Sequence, residues 1–279
     1  MPSIDLLIST MNYRPGALDK LLATVPEFIN VIVVNQITGA SQCVAQMQIK
    51  PNATCFSFRE KGLSRSRNRL MSLAASDVVV MADDDVEFMP DAFEDIAKAF
   101  CENPHAHILT FMMLKPDGTP RKCYKSQSFR HNKFSIAKVS SCEIAVHRKL
   151  MRPFTVNYDE SFGLGAIYPM GEEVVFLKDC LKAGLNIRFI PVAISCHPEE
   201  STGRNFTTAS EKTRGALFYR LYGPLSYLMG FILYFRKRHV LAGTISYGVA
   251  LRAYIEGIHD YKEYCKKKLP DQFACARTH

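Results

Sequence analysis

A short apolar run that ends in three aspartates constrains the fold of this chain more than any other feature. The apolar run covers residues 78–82, and Asp83, Asp84 and Asp85 follow it. A short uninterrupted apolar run is typical of a strand buried on both faces, as in a parallel sheet. Because side chains alternate along a strand, we expect Asp83 and Asp85 to point to one side and Asp84 to the other.

Two carboxylates on the same side of a strand end repel each other. A hard divalent cation with oxygen ligands relieves that repulsion. The junction is therefore interpreted as a metal-assisted phosphate site at the C-terminal end of a central strand. The alternative is a solvated acidic turn.

Composition limits the class of protein. The 279 residues are 47% hydrophobic and 22% charged, which is typical of a globular protein with one large domain or one domain and an appendage. The net charge of +8 favours nucleotides, nucleic acid or an anionic membrane as partners, unless the basic residues are merely spread over the surface. Nine scattered cysteines without a C-x-x-C pair indicate a reduced, cytoplasmic protein, and no secretory signal is visible.

The first part of the chain alternates between strand and helix patterns. The predicted elements are strands at 4–9, 30–34 and 55–58 and helices at 18–25 and 44–49. This β-α-β-α-β order predicts a doubly wound parallel sheet. Ligands bind such sheets beyond the carboxyl ends of the strands, which is where Asn12, Asn35 and Asp83 are expected.

An arginine-rich helix is predicted at residues 65–75, after Gly62. Its first turn carries Arg65, Arg67 and Arg69, although the helix dipole disfavours cations there. We therefore expect these arginines to serve an anion, which a helix start also attracts. The alternative is a charged, solvated face.

A second acidic motif, Glu172-Glu173, follows Gly171 at the start of a helix predicted over 172–183. Glutamates in a first turn also suit the helix dipole, so helix capping is the alternative to a catalytic base. A later strand at 187–193 leads to His197. A lone histidine is often structural, but beside Asp85 it becomes a metal ligand.

The middle of the chain is less informative. We predict a helix at 91–100, strands at 108–114 and 139–146, and a mobile segment or edge hairpin at 121–138.

Taken in order, these motifs resemble the inverting, GT-A-fold glycosyltransferases of family 2 over residues 3–200. The resemblance implies an α/β fold with a Rossmann-like, mixed and mainly parallel sheet flanked by helices. It implies a catalytic domain at 1–205, with a nucleotide-sugar half at about 1–100 and an acceptor half at about 101–205. Residues 206–279 then form a C-terminal helical appendage.

The resemblance also implies roles for residues. Asp83 and Asp85 would be the DxD motif that holds Mn²⁺ or Mg²⁺, with His197 as a third ligand, and Asp84 would be a ribose or structural contact. The donor would bind to Thr10, Asn12, Arg14, Asn35, Gly62, Arg67, Asp83 and Asp84.

Two positions depart from the family pattern. Asn35 stands where the family has an aspartate that contacts the base, so the identity of the base stays open. Glu172-Glu173 replaces a Glu-Asp pair. Glu173 then occupies the position of the general base, although the choice between the two glutamates also stays open.

The implied activity is metal-dependent, inverting transfer of a sugar from a nucleoside diphosphate, with UDP favoured, to a hydroxyl group. The acceptor would be a glycan or a lipid-linked molecule in surface polysaccharide or glycolipid biosynthesis. No nucleic-acid partner is expected.

The C-terminal part has a different character. Residues 221–235 are uncharged and aromatic and are followed by Arg236-Lys237-Arg238, and a second apolar stretch covers 240–251. Each is shorter than the ~20 residues of a membrane-spanning helix. Residues 216–251 are therefore interpreted as helices that lie on the cytoplasmic face of a membrane. The alternative is a helical hairpin packed on the catalytic domain or on a second subunit in a homodimer.

Two other functions compete with glycosyl transfer. A haloacid dehalogenase-type phosphotransferase would use Asp83 as nucleophile and Asp85 as acid/base, but that motif normally sits on the first strand and three strands are predicted before it here. The other is a membrane-associated nucleotide-binding protein without catalysis.

Overall fold

A computed structural model describes residues 1–39, 44–197, 206–241 and 245–275. The chain divides into two compact units. We call Met1–Ser161 with Glu172–Glu200 the sheet unit, and Phe162–Gly171 with Ser201–His279 the helical unit. The predicted domain boundary at residue 205 falls outside the described residues.

The sheet unit is built on one ten-stranded mixed sheet. The strands are β1 Ile4–Met11, β2 Asn30–Gln36, β3 Gln46–Lys50, β4 Ala53–Phe58, β5 Val78–Asp83, β6 Glu87–Phe88, β7 Ile108–Leu114, β8 Phe129–Arg130, β9 Ile144–His147 and β10 Ile187–Cys196. Their order is β3-β4-β2-β1-β5-β9-β7-β10-β6, with β8 paired to β10. Parallel pairing joins β4, β2, β1 and β5, and also β7 and β10. The predicted α/β fold with a mixed sheet is confirmed.

Helices and turns connect these strands. The helices are α1 Asp19–Ala23, α2 Leu63–Leu73, α3 Ala92–Glu102, α4 Arg148–Met151 and α5 Glu172–Lys182, with 3-10 turns at Ser135–Lys138 and Ser141–Glu143. The valines of β5 show why the sheet is central. Val78 and Val80 belong to one hydrophobic core and Val79 to the other, and none of the three is exposed. The strand is therefore buried on both faces, as its apolar run predicts.

The helical unit contains α6 Thr208–Tyr222, α7 Leu225–Leu241 and α8 Tyr247–Cys275. Two glycines let α6 and α8 approach backbone to backbone. A Cβ on Gly215 would lie 1.9 Å from the Tyr254 carbonyl oxygen, and one on Gly257 would lie 1.8 Å from that of Lys212. Of the helices in the described ranges, none combines the length and apolarity needed to cross a bilayer.

Two local predictions are wrong. The helix predicted over 44–49 is the strand β3, which pairs antiparallel with β4 at the sheet edge. Its alternation of Met47 and Ile49 with polar residues is a two-residue period that fits an edge strand. The strand predicted over 139–146 begins only at Ile144. Before it, Ser140 and Glu143 form a reciprocal capping box around a 3-10 turn.

Candidate active site

The carboxyl ends of β1, β2 and β5 bring polar side chains to one edge of the sheet. Thr10 pairs in register with Asn35, and Ser9 pairs with Asp83. The Thr10 hydroxyl donates a hydrogen bond of 2.6 Å to Oδ2 of Asp84. This gathering at strand ends is the arrangement that parallel pairing of the three strands requires.

Asn12 fastens the loop after β1 to the loop after β2. Its backbone is left-handed (φ 50°), a conformation that asparagine tolerates better than most residues. Its Nδ2 donates to Thr38 Oγ1 at 2.8 Å, and its Oδ1 accepts the Thr38 N–H at 3.0 Å. Asn12 therefore shapes the rim of the site.

Asn35 is buried, and both ends of its amide have a protein partner. Its Oδ1 accepts the Tyr13 N–H at 2.9 Å, and its Nδ2 donates to Ser57 Oγ at 3.2 Å. Asn35 thus orients the loop at Tyr13 as well as lying at the predicted base position.

Gly62 and Arg14 lie at the loops that border this edge. Gly62 precedes α2 with φ 134°, which favours glycine. Its N–H donates to Oε1 of Gln36 at 2.6 Å. Arg14 is exposed in the loop after β1.

Arg67 forms the buried centre of the site and is only 2% exposed. Its Nη1 lies 2.7 Å from Glu172 Oε1, and its Nη2 lies 3.0 Å from Asp83 Oδ1. Burial alone would lower the pKa of the guanidinium, but the charges of Glu172 and Asp83 raise it overall. The prediction that Arg67 contacts the donor has no support in this geometry, because its charge is buried against protein carboxylates.

The neighbouring arginines are also paired with carboxylates of the protein. Arg65 pairs with Glu160 at 3.0 Å and Arg69 with Glu60 at 2.7 Å. Because α2 begins at Leu63, only Arg65 lies in its first turn. All three arginines pair with carboxylates of the protein itself, and an external anion is not needed to explain them.

Asp83 is held on both carboxylate oxygens. While Oδ1 faces Arg67, Oδ2 accepts hydrogen bonds from Ser141 Oγ at 2.9 Å and Cys142 Sγ at 3.4 Å. Burial raises the pKa of Cys142 well above its usual value, which keeps it a thiol donor. Nothing in the sequence around Ser141 signals this contact, because it depends on how β9 inserts beside β5.

Asp85 points elsewhere, which corrects the expectation that it shares a side with Asp83. The strand β5 ends at Asp83 and the next two residues form a turn, so strand alternation stops there. Asp85 Oδ1 instead lies 2.9 Å from Nε2 of His197. The hydrogen bond from His197 lowers the pKa of Asp85, against the opposing effect of burial.

These contacts bear on the predicted metal site. Within the described ranges, no three His, Cys, Asp or Glu side chains are grouped to hold a metal ion, so Asp83, Asp85 and His197 do not form one cluster. Asp85 Oδ1 and His197 Nε2 lie 2.9 Å apart, at hydrogen-bond distance, and both are atom types that can bind a divalent cation.

The two glutamates at the start of α5 differ sharply. Glu172 is buried and paired with Arg67, whereas Glu173 is partly exposed. Burial, followed by the adjacent charge of Glu172, raises the pKa of Glu173 to about 8. A carboxylate with a raised pKa near neutrality is suited to accept a proton.

A further buried charge cluster was not predicted. Lys122 Nζ lies 2.7 Å from the buried carboxylate of Glu143, and the Tyr124 hydroxyl donates to the same group. Burial lowers the pKa of Lys122, although Glu143 and, more weakly, Glu173 oppose that effect. The sequence places Lys122 and Tyr124 in the basic segment 121–138 and Glu143 in the predicted strand 139–146, and it gives no sign that they meet.

The sequence model of glycosyl transferase family 2 matches residues 8–159, which is more than half of the chain. The matched region contains the second half of β1, the arginine helix α2, the three aspartates and β9. No curated protein sequence matches the chain significantly.

Solved structures of S. aureus TarS share the fold. The structure of TarS residues 1–349 has a TM-score of 0.57 and 15% identity, with 86% of this chain and 72% of that chain covered. TarS 1–349 in complex with UDP-GlcNAc has a TM-score of 0.56 and 13% identity, with 87% and 73% covered. The structure of TarS without that truncation has a TM-score of 0.55 and 15% identity, and the match covers 87% of this chain and 44% of TarS.

Proposed function

Because this chain belongs to glycosyl transferase family 2 and is a glycosyltransferase, we propose that it transfers a sugar from a nucleoside diphosphate to a hydroxyl group with inversion. The observation that carries this proposal is the Arg67 bridge between Asp83 and Glu172. The bridge places the start of α5, and with it Glu173, beside the carboxylates at the end of β5.

The donor is a nucleoside-diphosphate sugar, and we favour UDP. The edge formed by Thr10, Asn12 and Asn35 is lined by hydroxyl and amide groups, which suit a nucleoside. TarS, whose fold is similar, has been solved with UDP-GlcNAc and with UDP. Asp84, already bonded to Thr10, completes the polar lining.

A divalent cation, Mn²⁺ or Mg²⁺, would be held by Asp85 and His197. Asp85 supplies a carboxylate whose pKa is lowered by the hydrogen bond from His197, which lies beside it. A bound cation would supply neutralisation of the charge on the leaving diphosphate. Asp83 is not assigned to this ion, since Arg67, Ser141 and Cys142 occupy its oxygens.

Glu173 is the proposed general base. It removes the proton from the acceptor hydroxyl as that oxygen attacks the anomeric carbon opposite the leaving group. One displacement breaks the bond to the diphosphate oxygen and inverts the configuration. Glu172 has a different role, because its pairing with Arg67 holds α5 in place and keeps a negative charge beside Glu173.

The acceptor is proposed to be a hydroxyl of a glycan or of a lipid-linked molecule. The reaction would take place at the cytoplasmic face of a membrane, which is consistent with the described cysteines being free. The pathway would be surface polysaccharide or glycolipid biosynthesis, where such acceptors are made.

The phosphotransferase alternative finds no support in the geometry. Asp83 lies on the fifth strand of the chain, and its two oxygens are held by Arg67, Ser141 and Cys142. A nucleophilic carboxylate would have to face a substrate.

A thermal-shift screen of nucleotide sugars, with and without Mn²⁺, tests the proposal. We expect a UDP-sugar to raise the unfolding temperature only with the cation, and the stabilised donor to release UDP on incubation with acceptor extracts. A protein with Asp85→Asn should lose the cation-dependent part of the shift. No shift with UDP-, GDP- or dTDP-sugars at millimolar concentration would overturn the proposal.

A further inference from the structure

The helix α7 carries an apolar stripe that nothing in the described structure covers. Of the fourteen strongly exposed large apolar side chains in the described residues, six lie on this helix. They are Leu225, Tyr227, Leu228, Phe231, Ile232 and Phe235. Isolated exposed apolar residues are ordinary, but such a concentration on one helix indicates a contact surface.

The opposite side of α7 is already occupied. Ser226, Gly230 and Tyr234 recur every fourth residue and are buried. The Tyr254 hydroxyl of α8 donates to the Ser226 carbonyl at 2.8 Å, and a Cβ on Gly230 would lie 2.3 Å from the Tyr254 ring. The packing of α7 within the helical unit is therefore satisfied without the stripe.

The stripe follows the helical repeat. Leu225, Leu228, Ile232 and Phe235 are spaced by three, four and three residues, so they lie along one face. Phe231 and Phe235 stack 6.4 Å apart and are 54% and 55% exposed. One side of α7 is therefore packed against α8, while the apolar stripe on the other side is exposed to solvent in the described residues. Such an exposed stripe is expected to bind another apolar surface.

The charge next to the stripe identifies its partner. The stripe runs directly into the basic sequence Arg236-Lys237-Arg238, and α7 itself contains no aspartate or glutamate. An apolar face beside a cluster of cations is complementary to an anionic bilayer surface, where acyl chains and lipid phosphates lie side by side. A second copy of α7 would offer these cations no carboxylate from the same helix.

We propose that α7 lies flat on an anionic lipid bilayer, with the stripe in the acyl boundary and the basic sequence at residues 236–238 next to the lipid headgroups. The helix is then a peripheral anchor. The docking itself is independent of the proposed sugar transfer, although its use for a lipid-linked acceptor rests on that function.

Flotation of the full chain with lipid vesicles tests the proposal. We expect the protein to float with vesicles containing about one-third phosphatidylglycerol and to stay behind with pure phosphatidylcholine. Phe231→Ser with Phe235→Ser should lower the bound fraction at least about tenfold. The matched control is Phe28→Ser, which removes a phenylalanine that is 71% exposed in the sheet unit and should change nothing.

A second variant tests the charge. Replacing Arg236, Lys237 and Arg238 with glutamate should abolish flotation on the anionic vesicles, and raising the salt to about 0.5 M should weaken the binding of the wild-type protein. Unchanged unfolding temperatures would show that both variants are folded. A preserved UDP-sugar shift in these variants separates this test from that of sugar transfer.

Three results would overturn the proposal. One is a wild-type protein that does not float on anionic vesicles or floats equally on neutral ones. Another is flotation that survives loss of both phenylalanines. The third is a lipid-free dimer that the Phe231 and Phe235 substitutions convert to a monomer, since the stripe would then be an interface between copies.

Discussion

Two pairs of acidic residues in the sheet unit have opposite environments. Asp83 and Glu172, the inner carboxylates, are bonded to the buried Arg67. Asp85 and Glu173, the outer carboxylates, lie one or two residues further along the chain and are more exposed. Asp85 faces His197, and Glu173 has a raised pKa. The same residue types thus serve as structural ions in one place and as candidate reactive groups in the other.

The difference teaches how a site with many carboxylates can remain folded. A buried charge without a partner is costly, whereas a buried pair can be maintained by good geometry and further hydrogen bonds. Arg67 compensates both inner carboxylates, and Ser141 adds a bond to Asp83. The outer carboxylates are not tied to Arg67 and can change their charge or their ligand.

Substitution of an outer carboxylate should give the largest effect on turnover. We expect Glu173→Gln to lower kcat by about 10²–10⁴-fold, because the amide cannot accept the acceptor's proton. The unfolding temperature should stay the same. UDP release with a saturating acceptor measures the effect, with Glu160→Gln as a control on an exposed ion pair. Normal turnover in the Glu173→Gln enzyme would assign the base elsewhere.

Loss of Arg67, the cation that pairs with the inner carboxylates, should lower the stability of the fold. Arg67→Met leaves the buried Glu172 and the half-buried Asp83 without a counter-charge, and we expect a loss of about 3–5 kcal/mol in the free energy of unfolding. Urea denaturation measures it. The matched control Arg65→Met breaks an ion pair whose side chains are both about half exposed and should cost less than about 1 kcal/mol. Equal losses of stability in both variants would show that the buried Arg67 contributes no more than an exposed ion pair does.

The two neighbouring aspartates should differ in their dependence on metal. We expect Asp85→Asn to weaken activation by Mn²⁺ on the order of 100-fold, since it removes an anionic oxygen beside His197. Asp84→Asn should leave the Mn²⁺ midpoint in place, because Asp84 faces Thr10. Titration of activity with Mn²⁺ compares them. Identical midpoints in both variants would contradict the assignment of Asp85.

The raised pKa of Glu173 predicts the direction of the pH dependence. Glu173 must be ionised to accept a proton, so kcat/KM should rise with pH up to a plateau above its pKa of about 8. Because the positive charge of Arg67 lowers that pKa, any folded fraction of the Arg67→Met protein should reach its plateau at higher pH. A profile that falls between pH 6 and 8 would contradict an ionised Glu173 as the base.

The smallest effect is expected at the nucleoside edge. Thr10→Val removes the hydrogen bond to Asp84 and should cost about 1 kcal/mol of stability. The KM for the donor should rise more than kcat falls. A steady-state comparison with wild type checks this split, and an unchanged KM would remove Thr10 from the donor site.

Much of the fold could be predicted because it depends on local patterns. The valine run identified β5, local patterns predicted the parallel strands β1, β2 and β4 and the helices α1, α2 and α3, and the motifs in order indicated the family. The edge strand β3 was missed because five mostly polar residues carry a weak signal. The strand predicted over 139–146 starts late because the Ser140–Glu143 capping box competes with strand pairing.

The sequence by itself determined which residues carry charge and at which strand or helix ends they lie. It placed three aspartates after β5 and two glutamates at the start of α5. Only the tertiary structure decided which of these became partners of Arg67. Alternation applies within a strand and β5 stops at Asp83, so the direction of Asp85 depends on the turn and on His197. The division of labour between Glu172 and Glu173 likewise depends on a cation that is 105 positions earlier than Glu172 in the chain.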